Sequence, residues 1–225
     1  MTWNNAGYVQ ENSWYKNKAL TGGVSYTYQG GFFISSLGAA NVNTFAVPVA
    51  GAIASGTLIV VTVGITNSGT SFTSVVFDPT GMNLTLTQDS VSTPAALAGV
   101  FSGVATSSIG SGTKNVVVTT SGGVQFQDAA VDIYTIAGNV SNSKIAAANG
   151  AINCIIAVTA NDILIDCTVD NAGGDTWALS TQLPANIHTH TEVNAADWII
   201  SATNASFLVF PRSGGSGATA VANYH

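Results

Sequence analysis

The sequence predicts an all-β protein: a β-sandwich, of the jelly-roll or immunoglobulin-like kind, with an extended N-terminal arm. Short runs rich in β-branched and aromatic residues recur along the chain, separated by Gly, Asn, Asp and Pro turn signals. Helical periodicity is confined to residues 143–150, where 146–148 hint at one helical turn. The alternative of a parallel β-helix ranks lower, because the runs show no fixed repeat length.

The composition supports one large, weakly charged domain. The chain has 225 residues, of which 46% are hydrophobic and only 7% are charged, with a net charge of −6. The apolar content is sufficient for a core, and it argues against a disordered chain. The five basic residues are too few for a nucleic-acid surface. We therefore expect no nucleic-acid partner.

Residues 1–44 differ from the rest because they concentrate aromatic side chains. Gly pairs at 22–23 and 30–31 interrupt the segment, and we interpret it as an extended arm with short strands near 24–28 and 32–35. Large aromatic rings are typical anchors of protein interfaces, so the arm is a candidate for docking on a partner. The alternative is that it packs on its own domain. The predicted partner-binding residues are Trp3, Tyr8, Trp14, Tyr15, Tyr26 and Tyr28.

Residues 45–212 are predicted to form the sandwich, and 213–225 a flexible C-terminal tail. Leu58–Ile65 is apolar on both of its faces, which suits a strand in the middle of a sheet. The sequence 78–81 (Asp-Pro-Thr-Gly) is a turn signal. The remaining predicted strands are 45–49, Phe72–Phe77, 84–86, 95–105, 116–120, 124–137, 152–159, 163–169, 177–179, 187–193, 198–202 and Phe207–Phe210.

Residues 45–65 are uncharged and long enough to be considered as a membrane span. The segment contains Pro48 and three glycines, and it divides into two β-branched runs around a connector of small residues. We therefore predict two strands and no membrane partner. The first 25 residues also lack the basic and apolar regions of a secretory signal.

The two cysteines, Cys154 and Cys167, are expected to face each other across a hairpin. If residues 159–162 form its loop, counting outward along the two strands pairs Cys154 with Cys167. Such a pair is either a cross-strand disulfide or two buried free thiols, and we favour the thiols.

Two clusters of potential ligands are candidate metal sites. Asp162, Asp166, Asp170 and Asp175 lie close together in the sequence and could ligate Ca²⁺, but their spacing is not that of an EF-hand, and Asp is common in turns. His188, His190 and Glu192 would share one face of a strand, an arrangement that resembles the His-x-His metal sites of some phage spike proteins. We favour polar residues on a strand face, and we predict no metal and no cofactor.

The sequence shows no catalytic constellation. It lacks a Gly-x-Ser-x-Gly motif, and only two glutamates occur, Glu11 and Glu192. Trp177 and Trp198 could form a sugar-binding platform, but we favour core packing for both. We predict that the protein is not an enzyme.

The succession of strands and turns resembles a sandwich found in virion proteins of tailed bacteriophages and in bacterial surface proteins. The segments that carry the resemblance are 56–61, 75–81, 96–101 and 129–134. With the aromatic arm, the resemblance implies a capsid decoration (cement) protein in the virion, assembled in the host cytoplasm. It implies a homotrimer that contacts the major capsid protein or other virion proteins. A tail-fibre or baseplate module that binds a receptor or carbohydrate is the alternative, and a hydrolytic tail enzyme is a third possibility.

Overall fold

The computed structural model describes residues 18–19, 25–35, 40–66, 70–93, 96–124, 128–138, 142–149, 154–157, 162–170, 186–190, 193–199, 207–210 and 217–225. Every regular element in these ranges is a β-strand, and every paired ladder is antiparallel. The prediction of an all-β sandwich is confirmed.

The described residues contain seventeen strands. Their bounds are β1 (Lys18–Ala19), β2 (Ser25–Ser35), β3 (Ala40–Val49), β4 (Leu58–Ile65), β5 (Phe72–Phe77), β6 (Leu84–Thr85), β7 (Thr87–Ser92), β8 (Leu97–Val104), β9 (Gly112–Val124), β10 (Asp128–Ala137), β11 (Asn142–Asn149), β12 (Cys154–Ala157), β13 (Ile163–Asp170), β14 (Asn186–His190), β15 (Val193–Ile199), β16 (Phe207–Phe210) and β17 (Gly217–Tyr224).

These strands form three larger sheets and one short ribbon. A six-stranded sheet, here called the central sheet, has the order β1-β2-β10-β4-β8-β7. The four-stranded sheet has the order β3-β9-β5-β6, and the five-stranded sheet has the order β11-β17-β13-β15-β14. Strands β12 and β16 pair as a two-stranded ribbon that contacts β11 and β17.

The central sheet is buried on both faces, which gives the fold three layers. All eight residues of β4 are buried. Ile59, Val61 and Val63 point to one side and join a first core with the four-stranded sheet. Leu58 and Val60 point to the other side and join a second core with the five-stranded sheet. This double burial explains why β4 carries apolar residues on both faces.

The two cores are built from different side chains. In the first core, large residues such as Phe45 and Phe77 fill the space, and the rings of Phe72 and Phe101 meet edge to face at 5.2 Å. In the second core, β17 contributes mainly alanines, which let the five-stranded sheet approach the central sheet closely. The following residues of β13 and β17 face the central sheet: Ile163, Ile165, Cys167, Val169, Ala218, Ala220, Ala222 and Tyr224.

The expectation of a flexible tail at 213–225 is wrong for its last part. Gly217–Tyr224 forms β17, which lies between β11 and β13 and is buried along its whole length. The segment is rich in small residues, which give a weak apolar signal in a sequence. Here the alanines are buried where the five-stranded sheet packs on the central sheet, a position that small side chains can fill.

The arm boundary at residue 44 is also wrong. Ser25–Ser35 is β2, which pairs with β10 along the central sheet, and β3 already begins at Ala40. The alternative that this part packs on its own domain is therefore correct for 25–35. Residues 1–17 lie outside the described part of the chain.

The predicted hairpin that would pair the cysteines does not form. Strand β12 pairs with β16, which places Cys154 opposite Phe210, whereas β13 pairs with β15 and β17. Cys167 is a free, buried thiol. The apolar runs were placed correctly, but the choice of neighbour depends on packing across the whole sheet, which local spacing does not encode.

Two smaller expectations are corrected. Residues 142–149, where the alanines hinted at a helical turn, form strand β11, because pairing with β17 overrides the helical propensity of alanine. The predicted strand 187–193 is split between β14 and β15, which pair with each other.

Candidate interaction surface

The four-stranded sheet presents one face to the first core and the opposite face outward. Strand alternation assigns eleven residues to this outward side, which we call the outer face. None of them is charged. They are Val42, Thr44, Ala46, Pro48, Ser74, Val76, Thr85, Thr113, Asn115, Val117 and Thr119.

Cross-strand register arranges the outer face in rows. Thr44, Val117, Val76 and Thr85 form one row across all four strands. Val42, Thr119 and Ser74 form a second row, in which Val42 is 55% exposed. Neighbouring β-branched residues pack side by side on a pleated surface and limit one another's rotamers. The outer face is consequently an ordered, uncharged surface of hydroxyl and methyl groups.

Strand β3 forms one border of this surface. In the described ranges β3 pairs only with β9, so its other edge has no partner strand there. Edge strands usually carry charges that prevent pairing with other chains, and β3 has none. A register irregularity near Ala40 and Pro48 near the opposite end interrupt the edge, which leaves 42–47 as its regular part.

Gln29 anchors the end of β3 to the central sheet. It lies where the register of β2 shifts against β10, and its side chain is buried. The amide Nε2 donates to Thr135 Oγ1 at 2.8 Å, and Oε1 accepts from the Gly51 N–H at 3.0 Å. The Gln29 carbonyl also accepts from the Ala50 N–H at 2.9 Å. These bonds fix the border of the outer face relative to the central sheet.

Gly30 allows the chain to pass closely at this point. Its φ is +149°, and a Cβ at this position would lie 2.0 Å from the Pro48 carbonyl oxygen. Only glycine satisfies both the backbone conformation and the close approach.

The predicted partner-binding tyrosines, Tyr26 and Tyr28, lie in the central sheet. Tyr26 is buried in the second core, and the Tyr28 hydroxyl donates to Asp132 Oδ1 at 2.8 Å. The Tyr28 ring also contacts that of Tyr134 at 5.3 Å. These contacts are within the chain, and a role in a partner interface stays a prediction. Trp3, Tyr8, Trp14 and Tyr15 lie outside the described residues.

Four carboxylates are buried among the described residues, and none of the four was predicted to be buried: Asp78, Asp132, Asp162 and Asp166. Asp132 accepts from Tyr28, Asp162 Oδ2 accepts from Asn223 Nδ2 at 2.6 Å, and Asp166 Oδ2 accepts from Thr168 at 3.1 Å. Asp162 is 0% exposed and Asp132 only 1%. A buried carboxylate needs such donors to offset its lost hydration.

The described residues contain no group of three His, Cys, Asp or Glu side chains arranged for a metal ion. Asp175 lies outside the described ranges, and so does Glu192. His188 and His190 are placed on β14, at the border of the five-stranded sheet, opposite Ala195 and Val193. That this His pair binds no metal stays a prediction.

The two tryptophans considered for sugar binding are placed only in part. Trp198 lies on β15 opposite Leu164 of β13. Trp177 lies outside the described part of the chain. Core packing of both tryptophans stays a prediction.

Burial suppresses the reactivity of two titratable groups in the second core. It raises the pKa of the Cys167 thiol well above its usual range, and Asp166 adds to the effect. Burial likewise raises the pKa of Tyr224, assisted by Asp89, whose Oδ2 accepts from the Tyr224 hydroxyl at 2.6 Å. A buried, protonated thiol is a poor nucleophile, so these groups act as packing and hydrogen-bonding elements.

Comparison of the chain with protein-family models, with curated proteins and with solved structures returned no match. Among the described residues, no helix has the length and apolar character to cross a membrane.

Proposed function

We propose that this chain is a virion structural protein, a capsid decoration protein that binds copies of itself and the capsid shell. The observation that carries the proposal is the outer face: eleven ordered positions without a charge, bordered by an edge strand without a charge. The resemblance of the strand succession to phage virion sandwiches supports the same function.

The outer face suits association because little hydration must be removed from it. Burying an unpaired charge at an interface costs several kcal/mol, whereas hydroxyls and methyls are desolvated at much lower cost. A stable interface usually involves roughly 20–30 residues on each partner. The eleven residues supply roughly a third to a half of that number. Residues 1–17, with Trp3, Tyr8, Trp14 and Tyr15, are the proposed source of the remainder.

The layered fold also suits a protein that must persist on a particle. Its ladders join strands far apart in the sequence, such as β2 with β10 and β13 with β17. Such non-local antiparallel topology is typical of proteins that fold slowly. If unfolding is slow as well, the native state persists for a long time even when its equilibrium stability is modest.

A charge placed on the outer face tests the proposal. We expect Val117→Lys to weaken self-association and binding to purified capsids, because the new ammonium must be desolvated. Sedimentation velocity measures the first and co-sedimentation with capsids the second. Ser107→Lys, at an exposed loop position, is the matched control and should behave as the wild type.

Two results would contradict the proposal. One is a wild-type chain that stays monomeric and does not bind capsids. The other is equal association of the Val117→Lys and wild-type proteins. In either case, binding on a glycan array would favour the receptor-binding alternative, and depolymerisation of a polysaccharide would favour a hydrolytic tail protein.

Truncation tests the contribution of the N-terminal segment. Because 25–35 is part of the central sheet, the deletion should stop at residue 17. We expect a chain that lacks 1–17 to melt as cooperatively as the full chain, by circular dichroism, but to bind capsids less. Unchanged capsid binding would exclude a role for this segment.

A further inference from the structure

An asparagine and an aspartate contact each other on the face of the five-stranded sheet that points away from the central sheet, and a lysine occupies the register position opposite the asparagine. Strand β11 places Lys144 directly opposite Asn223 of β17. On its other side, Asn223 is opposite Leu164 of β13. Asp162 lies two residues before Leu164, and the Asn223 Nδ2 donates to Asp162 Oδ2 at 2.6 Å.

The asparagine and the aspartate are withdrawn from solvent. Both residues are 0% exposed. The ring of His225, which is 53% exposed, brings Nδ1 to 3.9 Å from Asp162 Oδ1. A buried carboxylate that holds a side-chain amide, with a lysine at the adjacent register position, is an unusual use of three polar residues in a sheet.

We propose that Lys144 and Asn223 become joined by an intramolecular isopeptide bond, with Asp162 carrying the protons. Asp162 first takes a proton from the Lys144 ammonium, which leaves a neutral amine. Nζ of Lys144 then attacks Cγ of Asn223 and forms a tetrahedral intermediate. The Cγ–Nδ2 bond breaks as Asp162 returns its proton to the leaving nitrogen and the second proton is lost from Nζ.

The products are an amide between Lys144 and Asn223 and one molecule of ammonia. No oxidant, reductant or cofactor is required, since the amide nitrogen of Asn223 is exchanged for that of Lys144. When ammonia takes up the remaining proton and leaves as ammonium, Asp162 is again a carboxylate.

The register brings the two residues within reach of each other. Residues directly opposite in an antiparallel pair have Cβ atoms about 4.5–5.5 Å apart, which is shorter than an extended lysine side chain. The bond from Asn223 to Asp162 keeps the leaving nitrogen beside the group that protonates it. The new bond would join β11 to β17 and close the chain segment between 144 and 223 in the five-stranded sheet. The inference does not depend on the proposed function.

Intact-mass analysis of the denatured full chain tests the proposal first. We expect a mass lower than that of the sequence by one ammonia. Trypsin digestion locates the bond, because a modified Lys144 is no longer a cleavage site. The expected product is the segment 115–212 linked to 213–225, with one ammonia lost.

Variants separate this bond from other losses of ammonia, such as succinimide formation at Asn149–Gly150. Lys144→Arg removes the amine nucleophile, and Asp162→Ala removes the proton carrier, so both should restore the full mass and release 213–225 as a separate peptide. Lys114→Arg, on the four-stranded sheet, is the matched control and should retain the link. A wild-type chain of full mass, or a linked peptide that persists in Lys144→Arg, would overturn the proposal whether or not a variant folds.

Discussion

Replacing Val60 and Val61 by alanine, one at a time, tests the three-layer arrangement. The two residues are adjacent in β4, and both are 0% exposed. Val60 belongs to the second core and Val61 to the first. In a fold with two layers, one face of β4 would be open to solvent, and only one of the two substitutions would be costly.

The expected cost follows from the groups removed. Each substitution deletes two buried carbon atoms, which is about 1.6 kcal/mol of lost transfer free energy at about 0.8 kcal/mol per methylene. The cavity left behind raises the total to about 2–3 kcal/mol, because a sheet held between two others cannot collapse fully. For a domain of this size, the melting temperature should fall by about 4–12 °C.

Urea titration followed by circular dichroism measures the free energy of unfolding for each variant. Val42→Ala is the control, since Val42 lies on the outer face and is 55% exposed, and its cost should stay below about 0.5 kcal/mol. The three-layer arrangement would be refuted if Val61→Ala lost about 2–3 kcal/mol of unfolding free energy while Val60→Ala was as stable as the wild type. That result would show that the five-stranded sheet does not cover the central sheet.

The turn between β5 and β6 and the titration of the second core give further predictions. Gly81→Ala should cost about 1–3 kcal/mol in a urea titration, because the new Cβ would lie 2.2 Å from Asp78 Oδ2 and would displace this buried carboxylate from its hydrogen bond with the Met82 N–H. Gly110→Ala, where no atom lies within 4 Å of the new Cβ, should stay within about 0.5 kcal/mol. Because burial raises the folded-state pKa of Cys167 and Tyr224, the unfolded chain loses these protons first, above about pH 8.5 and 10. The free energy of unfolding should therefore fall as the pH rises, by up to about 1.4 kcal/mol per unit and group. Tyr224→Phe should reduce the slope above about pH 10, and an unchanged slope would contradict the role of this hydroxyl.

The strands that could be predicted from the sequence are those whose signal is local. Leu58–Ile65, Phe72–Phe77 and Phe207–Phe210 have the predicted bounds, because each is a compact run of large apolar or β-branched residues. Gly217–Tyr224 was missed because its small residues are selected by close packing between sheets. A sequence shows how apolar a segment is, but it does not show how near the opposite layer lies.

The candidate sites were harder to predict because they depend on register. The outer face exists only once β3, β9, β5 and β6 are aligned, and none of its residues forms a recognisable motif. The same limit applied to Asp162, which the sequence grouped with neighbouring aspartates as a possible Ca²⁺ site. In the fold its partner is Asn223, 61 residues further along the chain.

Low charge and double burial have a common physical origin in this molecule. A central sheet covered on both faces has few positions where a charge can reach water, so the chain tolerates charges mainly outside it. The exceptions are therefore informative. Asp132 and Asp162 are the least exposed of the four buried aspartates, and each accepts a hydrogen bond from a group on another strand. Asp132 ties β2 to β10, because it accepts a hydrogen bond from the Tyr28 hydroxyl on the neighbouring strand. Replacing Tyr28 would remove that donor from a buried carboxylate, which is costly. Asp162 ties the start of β13 to β17 through Asn223, and the isopeptide bond that we propose between Lys144 and Asn223 would add a covalent link from β17 to β11.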